Sequence, residues 1–359
     1  MSQILIVFFS LISLIIAHEF GHFLLAKKFG VDVEEFGIGY PPRIFGKKIG
    51  KTFYSFNLLP FGAFVKIRGE GGEFEDSKSF ISKPIWQRTL IVLGGIFAFW
   101  LIAWILISIT MGLGIPLAIS EEAKVSQSKI QIIATAKNSP AEKSGLRVGD
   151  FILQMESTEE KIENIQKVEE VQEFINSHLG KEVLLTIKRG KTILEAKLTP
   201  RLNPPQAEGP MGIVLTRTIN VSYPWYKAPF EGFLTTANLT FSISKGTLGI
   251  ISDILFKRAL PPGVEVLGPI GIFNLSSQMI SLGINYYLRF LALTSIYLAV
   301  FNILPIPALD GGKLIFLGIE AVRKKRVSRK IEQSITVFFF ALLIFLMILV
   351  TIKDVLELF

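Results

Sequence analysis

The residues best suited to chemistry come early in the chain, where His18, Glu19 and His22 stand in the run His18-Glu-Phe-Gly-His22. On a helix, positions i and i+4 share a face, so both imidazoles reach one metal ion and Glu19 reaches a water bound to it. That layout suits a metal hydrolase. A bound Zn2+ lowers the pKa of its water to about 7, and a neighbouring carboxylate takes the proton as the hydroxide attacks a carbonyl. The pattern is short and also arises by chance on amphipathic helices of soluble proteins. Its setting weighs against that. Residues 4–26 are apolar apart from Ser10, Ser13, His18, Glu19 and His22, and the run is long enough to cross a bilayer core of about 30 Å. Ionisable groups at that depth are costly unless they face water or bind something, so a purely structural role is disfavoured.

A catalytic zinc usually has three protein ligands and one open position. The chain has no cysteine, which excludes disulfides, zinc–thiolate sites and thiol catalysis. The remaining histidine, His178 in Asn-Ser-His-Leu-Gly, is expected to be a surface or loop residue without a catalytic part. The third ligand should therefore be a carboxylate in or near another span. Asp310 is the only ionisable residue of Asn302-Ile-Leu-Pro-Ile-Pro-Ala-Leu-Asp-Gly-Gly312. Pro305 and Pro307 remove backbone donors there and interrupt the helix, which lets polar groups face a cavity. The alternative makes Asp310 a helix N-cap just outside the membrane.

The elements that must position these residues follow from composition. The chain has 359 residues, half of them hydrophobic and 19% charged, with a mean hydropathy of +0.49, which is too apolar for an ordinary soluble protein. Candidate spans cover 4–26, 89–113, 286–304 and 335–352. A signal peptide fits the first poorly, because no Lys or Arg precedes the apolar run. The net charge of +8 does not point to nucleic acid, since the basic residues sit largely in loops beside apolar segments. Eleven Lys and Arg lie from Lys27 to Arg88, and Arg323, Lys324, Lys325, Arg326, Arg329 and Lys330 follow the third span. Both loops should be cytoplasmic. Residues 228–256 carry Glu231, Lys245 and Asp253 and are read as an interfacial amphipathic helix. A fifth span there would put the two basic loops on opposite sides. Four spans with both termini outside the cytoplasm satisfy the rule.

That topology places residues 115–202 on the extracytoplasmic side as a soluble module. Strand-like runs cover 130–134, 151–155, 183–187 and 192–198, and 168–178 has helical spacing. The segment Asn138-Ser-Pro-Ala-Glu-Lys-Ser-Gly-Leu-Arg-Val-Gly-Asp150 resembles a PDZ domain of the bacterial protease type. Such a domain either captures peptides by strand addition or serves as a spacer or steric gate. Residues 203–285 are read as linker and interfacial helix, between a part at 1–114 holding the first two spans and one at 286–359 holding the last two.

Taken together, the HExxH in a first span, the Asn302-to-Gly312 run in a later one and the inserted module resemble the site-2 protease family, with the single PDZ module similar to RseP-type (regulator of sigma-E protease) members. The resemblance covers essentially the whole chain. It implies a four-span α-helical membrane fold with a membrane-associated β-hairpin and an inserted β-rich PDZ domain. It implies an intramembrane zinc metalloprotease of a bacterial inner membrane, with His18, His22 and Asp310 as zinc ligands and Glu19 as general base. Its substrate would be a single-span membrane protein pre-cleaved by another protease, such as an anti-sigma factor. Asn302 corresponds to an asparagine near the substrate backbone. Residues 52–69 resemble the membrane-dipping β-hairpin, with Phe61, Gly62, Ala63 and Phe64 as substrate-binding candidates, and Gly268-Pro-Ile-Gly-Ile resembles the family's GP segment. Departures occur at Gly94-Gly-Ile-Phe-Ala98, where many relatives carry Gly-Pro and Asn, and at Lys313, where relatives often carry His. Two other classes are open to such a chain, an ion-coupled transporter and a proteolytically inactive scaffold. Metal content separates the first, and loss of a catalytic residue would mark the second.

Overall fold

The computed structural model describes residues 2–71, 76–123, 125, 128–205, 208–257 and 266–356. In chain order its elements are α1 (Ser2–Lys28), β1 (Val33–Ile49), β2 (Thr52–Ile67), α2 (Ile85–Leu113), β3 (Ile115–Ala118), β4 (Lys129–Thr135), α3 (Pro140–Lys143), β5 (Phe151–Glu156), β6 (Lys161–Glu163), α4 (Val168–Ser177), β7 (Val183–Arg189), β8 (Thr192–Leu198), β9 (Ile213–Val221), α5 (Ala228–Ser252), α6 (Pro269–Leu282), α7 (Ile284–Ile303), α8 (Asp310–Arg323) and α9 (Arg329–Leu356). They form two compact units, one of Met1–Ser108, Pro229–Ser277 and Leu288–Phe359, the other of Ile109–Ala228 and Gln278–Tyr287.

Among the described residues, α1, α2, α7 and α9 are the four helices long and apolar enough to cross a membrane. The outward face of α9 carries Phe338, Phe340, Phe345 and Leu356, all more than half exposed. So much exposed apolar surface is untenable in water and suits lipid. A core of Phe23, Ala26, Val31, Ile91, Val92 and Leu317 joins α1, α2 and α8. Helices α1 and α2 meet backbone to backbone, because a Cβ on Gly21 would strike the Gly94 carbonyl. Along α2, α5 is held by Trp104 Nε1 donating to Pro229 O at 2.8 Å and Trp100 Nε1 donating to Thr240 Oγ1 at 3.1 Å.

The β1–β2 sheet differs from the expected hairpin at 52–69. Glu35 pairs with both Lys66 and Phe53, and Ile38 pairs with both Ala63 and Phe56, while 43–49 returns along 57–52. The two halves of β2 therefore flank the start of β1 and do not pair with each other. Pro41-Pro42, glycines and Arg43, Lys47 and Lys48 hid β1 from the sequence pattern, since Pro and charge usually mark non-strand segments.

The second unit is a seven-stranded sheet in the order β3-β9-β4-β5-β7-β8, with β6 paired to β5. Its core holds Ile130, Ile132, Ile152, Met155, Val171, Leu185 and Ile187, each at most 2% exposed. Burying each contributes about 1.5–3 kcal/mol relative to exposure. The expected strands and helix are all present here, but the expected boundary at 202 falls inside the unit. Strand β9 lies between β3 and β4, so the chain beyond 202 completes the sheet before α5 begins. Of the expected linker, 206–207 and 258–265 lie outside the described residues. Leu282 packs over Gly149, and Gln131 Nε2 donates to Tyr286 Oη at 3.1 Å, which fixes 278–287 to this unit.

Candidate metal centre

Helix α1 brings His18 and His22 to one face, 8% and 7% exposed, with their Nε2 atoms 3.2 Å apart. His22 Nδ1 lies 2.9 Å from the Ile91 carbonyl. A carbonyl only accepts, so Nδ1 carries the proton and Nε2 keeps its lone pair, as a metal ligand requires. The His18 ring stacks on Phe99 at 4.5 Å. Gly95 makes room for the pair, because a Cβ there would collide with His22 Nε2 and His18 Cε1. Gly94-Gly95 stands out in the sequence as a departure from the family's pattern, and only helix pairing reveals what the missing side chain permits.

Asp310 arrives from another part of the chain. After α7 the backbone turns through Pro305 and Pro307, and α8 begins at Asp310 with Leu309 as its N-cap. Asp310 is therefore the first helical residue and is 7% exposed; it is not an exposed cap. Gly311 and Gly312 allow the turn to close, since a Cβ on either would strike the backbone of 303–307. Asp310 Oδ2 stands 3.3 Å from His18 Nε2 and 3.2 Å from His22 Nε2. The three ligand atoms lie within 4.8 Å of one another.

The polar accounting of this cluster is incomplete without a ligand. Among the described residues, Asp310 Oδ2 and His18 Nδ1 are buried without a hydrogen-bond partner, although buried polar atoms almost always have one. Two imidazole Nε2 atoms converging on one unsatisfied carboxylate oxygen fit a borderline divalent cation such as zinc.

Two ion pairs steady α8. At its start, Lys313 Nζ lies 2.6 Å from Glu70 Oε1. Desolvation opposes the Lys313 charge, but the Glu70 and Asp310 carboxylates outweigh it and hold its pKa above the usual lysine range. Near its end, Glu320 takes a bidentate pair from Arg88, at 2.6 and 2.8 Å. That hydrogen bonding outweighs burial and holds the Glu320 carboxyl below its ordinary value.

The other candidates have contacts of their own. Asn302 Nδ2 donates to Leu298 O at 2.9 Å within α7. Phe61 is 69% exposed and meets Phe8 of α1 edge to face at 6.2 Å. Gly62 has φ +129°, Ala63 is buried and Phe64 stacks on Tyr40. His178 corrects its expectation. It is 2% exposed, with Nδ1 2.7 Å from Phe174 O and Nε2 2.8 Å from Ser157 Oγ, so it is a satisfied core histidine.

Membrane-length helices around a buried His–His–carboxylate cluster are the arrangement of a membrane metallohydrolase. Comparison with known proteins narrows the class. The Peptidase family M50 model matches residues 6–346. A putative zinc metalloprotease of Clostridium perfringens is 34% identical over 345 residues, covering 96% of this chain and 95% of that protein. The regulator of sigma-W protease of Bacillus subtilis is 26% identical, covering 97% and 96%, and a chloroplastic membrane metalloprotease of Arabidopsis thaliana is 28% identical, covering 97% and 77%. The chain belongs to Peptidase family M50 and is a metalloprotease.

Proposed function

We propose that this chain is a zinc protease that hydrolyses a peptide bond within or near the transmembrane segment of a single-span membrane protein. The observation that carries the proposal is the convergence within 4.8 Å of His18 and His22, both on a helix of membrane-spanning length, with Asp310 at the start of the short helix α8. These three residues hold the zinc. Bound there, zinc supplies Lewis acidity and a water whose pKa is lowered to about 7. Glu19, half-buried and next to His18 on α1, takes the proton from the attacking water and delivers it to the leaving amide nitrogen. The Asn302 amide exchanges its bond to Leu298 O for one to the substrate backbone, where it holds a carbonyl or the developing oxyanion.

A helical substrate hides its carbonyls in hydrogen bonds and must be straightened before hydrolysis. The 59–67 stretch of β2 pairs with β1 on one side, and Phe61, Gly62, Ala63 and Phe64 offer its other edge for strand addition. In the second unit, a groove of about 410 Å3 runs between α4 and β9, lined by Val171, Ile175, Met211, Ile213 and Leu215. Among the described residues β9 has a single strand neighbour, β4, along 213–216, because β3 pairs with 218–221 and Ile119 N–H takes up the Arg217 carbonyl. An open strand edge beside a helix supports a PDZ-type module that binds the end of a pre-trimmed substrate, such as an anti-sigma factor. The Bacillus subtilis relative carries regulation of sigma-W in its name. The Lys and Arg excess at 27–88 and 323–330 supports a bacterial inner-membrane topology with the zinc centre toward the cytoplasm and residues 115–202 extracytoplasmic. The test compares membrane proteins from cells carrying wild type and Glu19→Gln. Membrane-bound fragments should accumulate in the variant, and identical profiles would refute the proposal.

A further inference from the structure

Lys313 lies three residues after Asp310 on α8, and its Nζ is 4.0 Å from Asp310 Oδ1. The opposite oxygen, Oδ2, faces the two imidazoles and makes no hydrogen bond among the described residues. The two carboxylate oxygens are thus divided between a cation on one side and the ligand cluster on the other. An ionised carboxylate has two equivalent acceptor oxygens, and one free to rotate binds a metal through either or both. An ammonium beside Oδ1 breaks that equivalence.

A lysine left to itself holds such a position poorly, because its long flexible side chain loses rotamer entropy when fixed. Here Glu70 fixes it at 2.6 Å. Glu70 is in turn set on the sheet, since it follows the end of β2 and its N–H donates to Ile67 O. The Glu70 carboxylate also balances the ammonium, so the pair orients Asp310 without adding net positive charge beside a bound cation.

We propose that Lys313, clamped by Glu70, is a positioning residue for the metal, reserving Asp310 Oδ1 and leaving Oδ2 as the single ligand oxygen. The inference rests on Asp310 being a zinc ligand. Lys313 touches no reacting atom. Its effect runs through the second oxygen of a ligand, the kind of outer contact whose loss costs about 10–100-fold in metal affinity.

The experiment uses the purified full chain in detergent, loaded with zinc, and follows zinc loss to a competing chelator together with the melting temperature of the metal-free form. Lys313→Met should surrender zinc about 10–100-fold more readily with an unchanged metal-free melting temperature. Lys313→Arg should restore retention, and Glu70→Gln should weaken it in the same direction. Asp310→Asn is the reference and should hold no stoichiometric zinc. If Lys313→Met and Glu70→Gln retain zinc like wild type while Asp310→Asn loses it, the positioning role is wrong and the ligand assignment stands. Zinc retained by Asp310→Asn would instead overturn the ligand assignment itself. Should Lys313→Met fail to fold, Glu70→Gln and Lys313→Arg decide the matter alone.

Discussion

The chain buries its histidines in two settings. His178 in the sheet unit is at least as buried as His18 and His22, and it even stacks on a phenylalanine, Phe174, at 4.4 Å. Its Nδ1 donates to Phe174 O, and its Nε2 accepts from the Ser157 hydroxyl. No polar atom is left over. In the helical unit, His18 Nδ1 and Asp310 Oδ2 have no hydrogen-bond partner among the described residues, and two Nε2 atoms face one carboxylate oxygen. Burial does not separate a structural histidine from a functional one. Ligand atoms that converge on a buried, unsatisfied acceptor do.

That contrast can be broken from either side. The largest effect belongs to Glu19→Gln, which should lower cleavage of a model transmembrane substrate by about 10²–10⁴-fold while zinc content by mass spectrometry is unchanged. Loss of zinc in that variant would make Glu19 a structural part of the metal site. Gly95→Ala should come next, since the added methyl displaces both imidazoles. Cleavage should fall by about 100-fold and zinc retention should weaken, whereas a normal turnover rate would mean the helices part without cost.

Glu320→Gln leaves the Arg88 guanidinium buried without its anion and should cost about 3 kcal/mol of stability, read by thermal unfolding in detergent. The sign with pH follows from the depressed Glu320 pKa, set first by the Arg88 hydrogen bond. Its contribution is full above the unfolded carboxyl pKa of about 4.3 and is lost as pH falls through the lower folded value. The gap between wild type and variant should therefore close in acid; a gap that widens there would contradict the pairing. The smallest effect is expected of His178→Ala, about 1–3 kcal/mol from the orphaned Ser157 and the lost packing, with zinc content and cleavage rate intact.

Much of this was legible in the residues. Uninterrupted apolar runs give spans within a few positions, because a helix in lipid must satisfy its backbone internally and show an apolar surface on every lipid-facing side. The ligand candidates could be read because ionisable groups are rare in such runs. What escaped is pairing between distant segments. Strand β9 was hidden in an apparent linker, and β1 was masked by Pro41, Pro42 and its basic residues. The burial of His178 depends on Ser157 and Phe174, which spacing does not bring together. Lys313 and Gly95 looked like departures from a pattern, and their consequence appears only once α1, α2 and α8 meet.

The central claim is that His18, His22 and Asp310 together hold one zinc ion. Zinc stoichiometry of the purified full chain tests it most directly, across wild type, Asp310→Ala and His178→Ala. The structure predicts about one zinc per chain in wild type and in His178→Ala, and almost none in Asp310→Ala, as three ligands are needed to retain the ion. Full zinc occupancy in Asp310→Ala, or loss of zinc in His178→Ala, would contradict it.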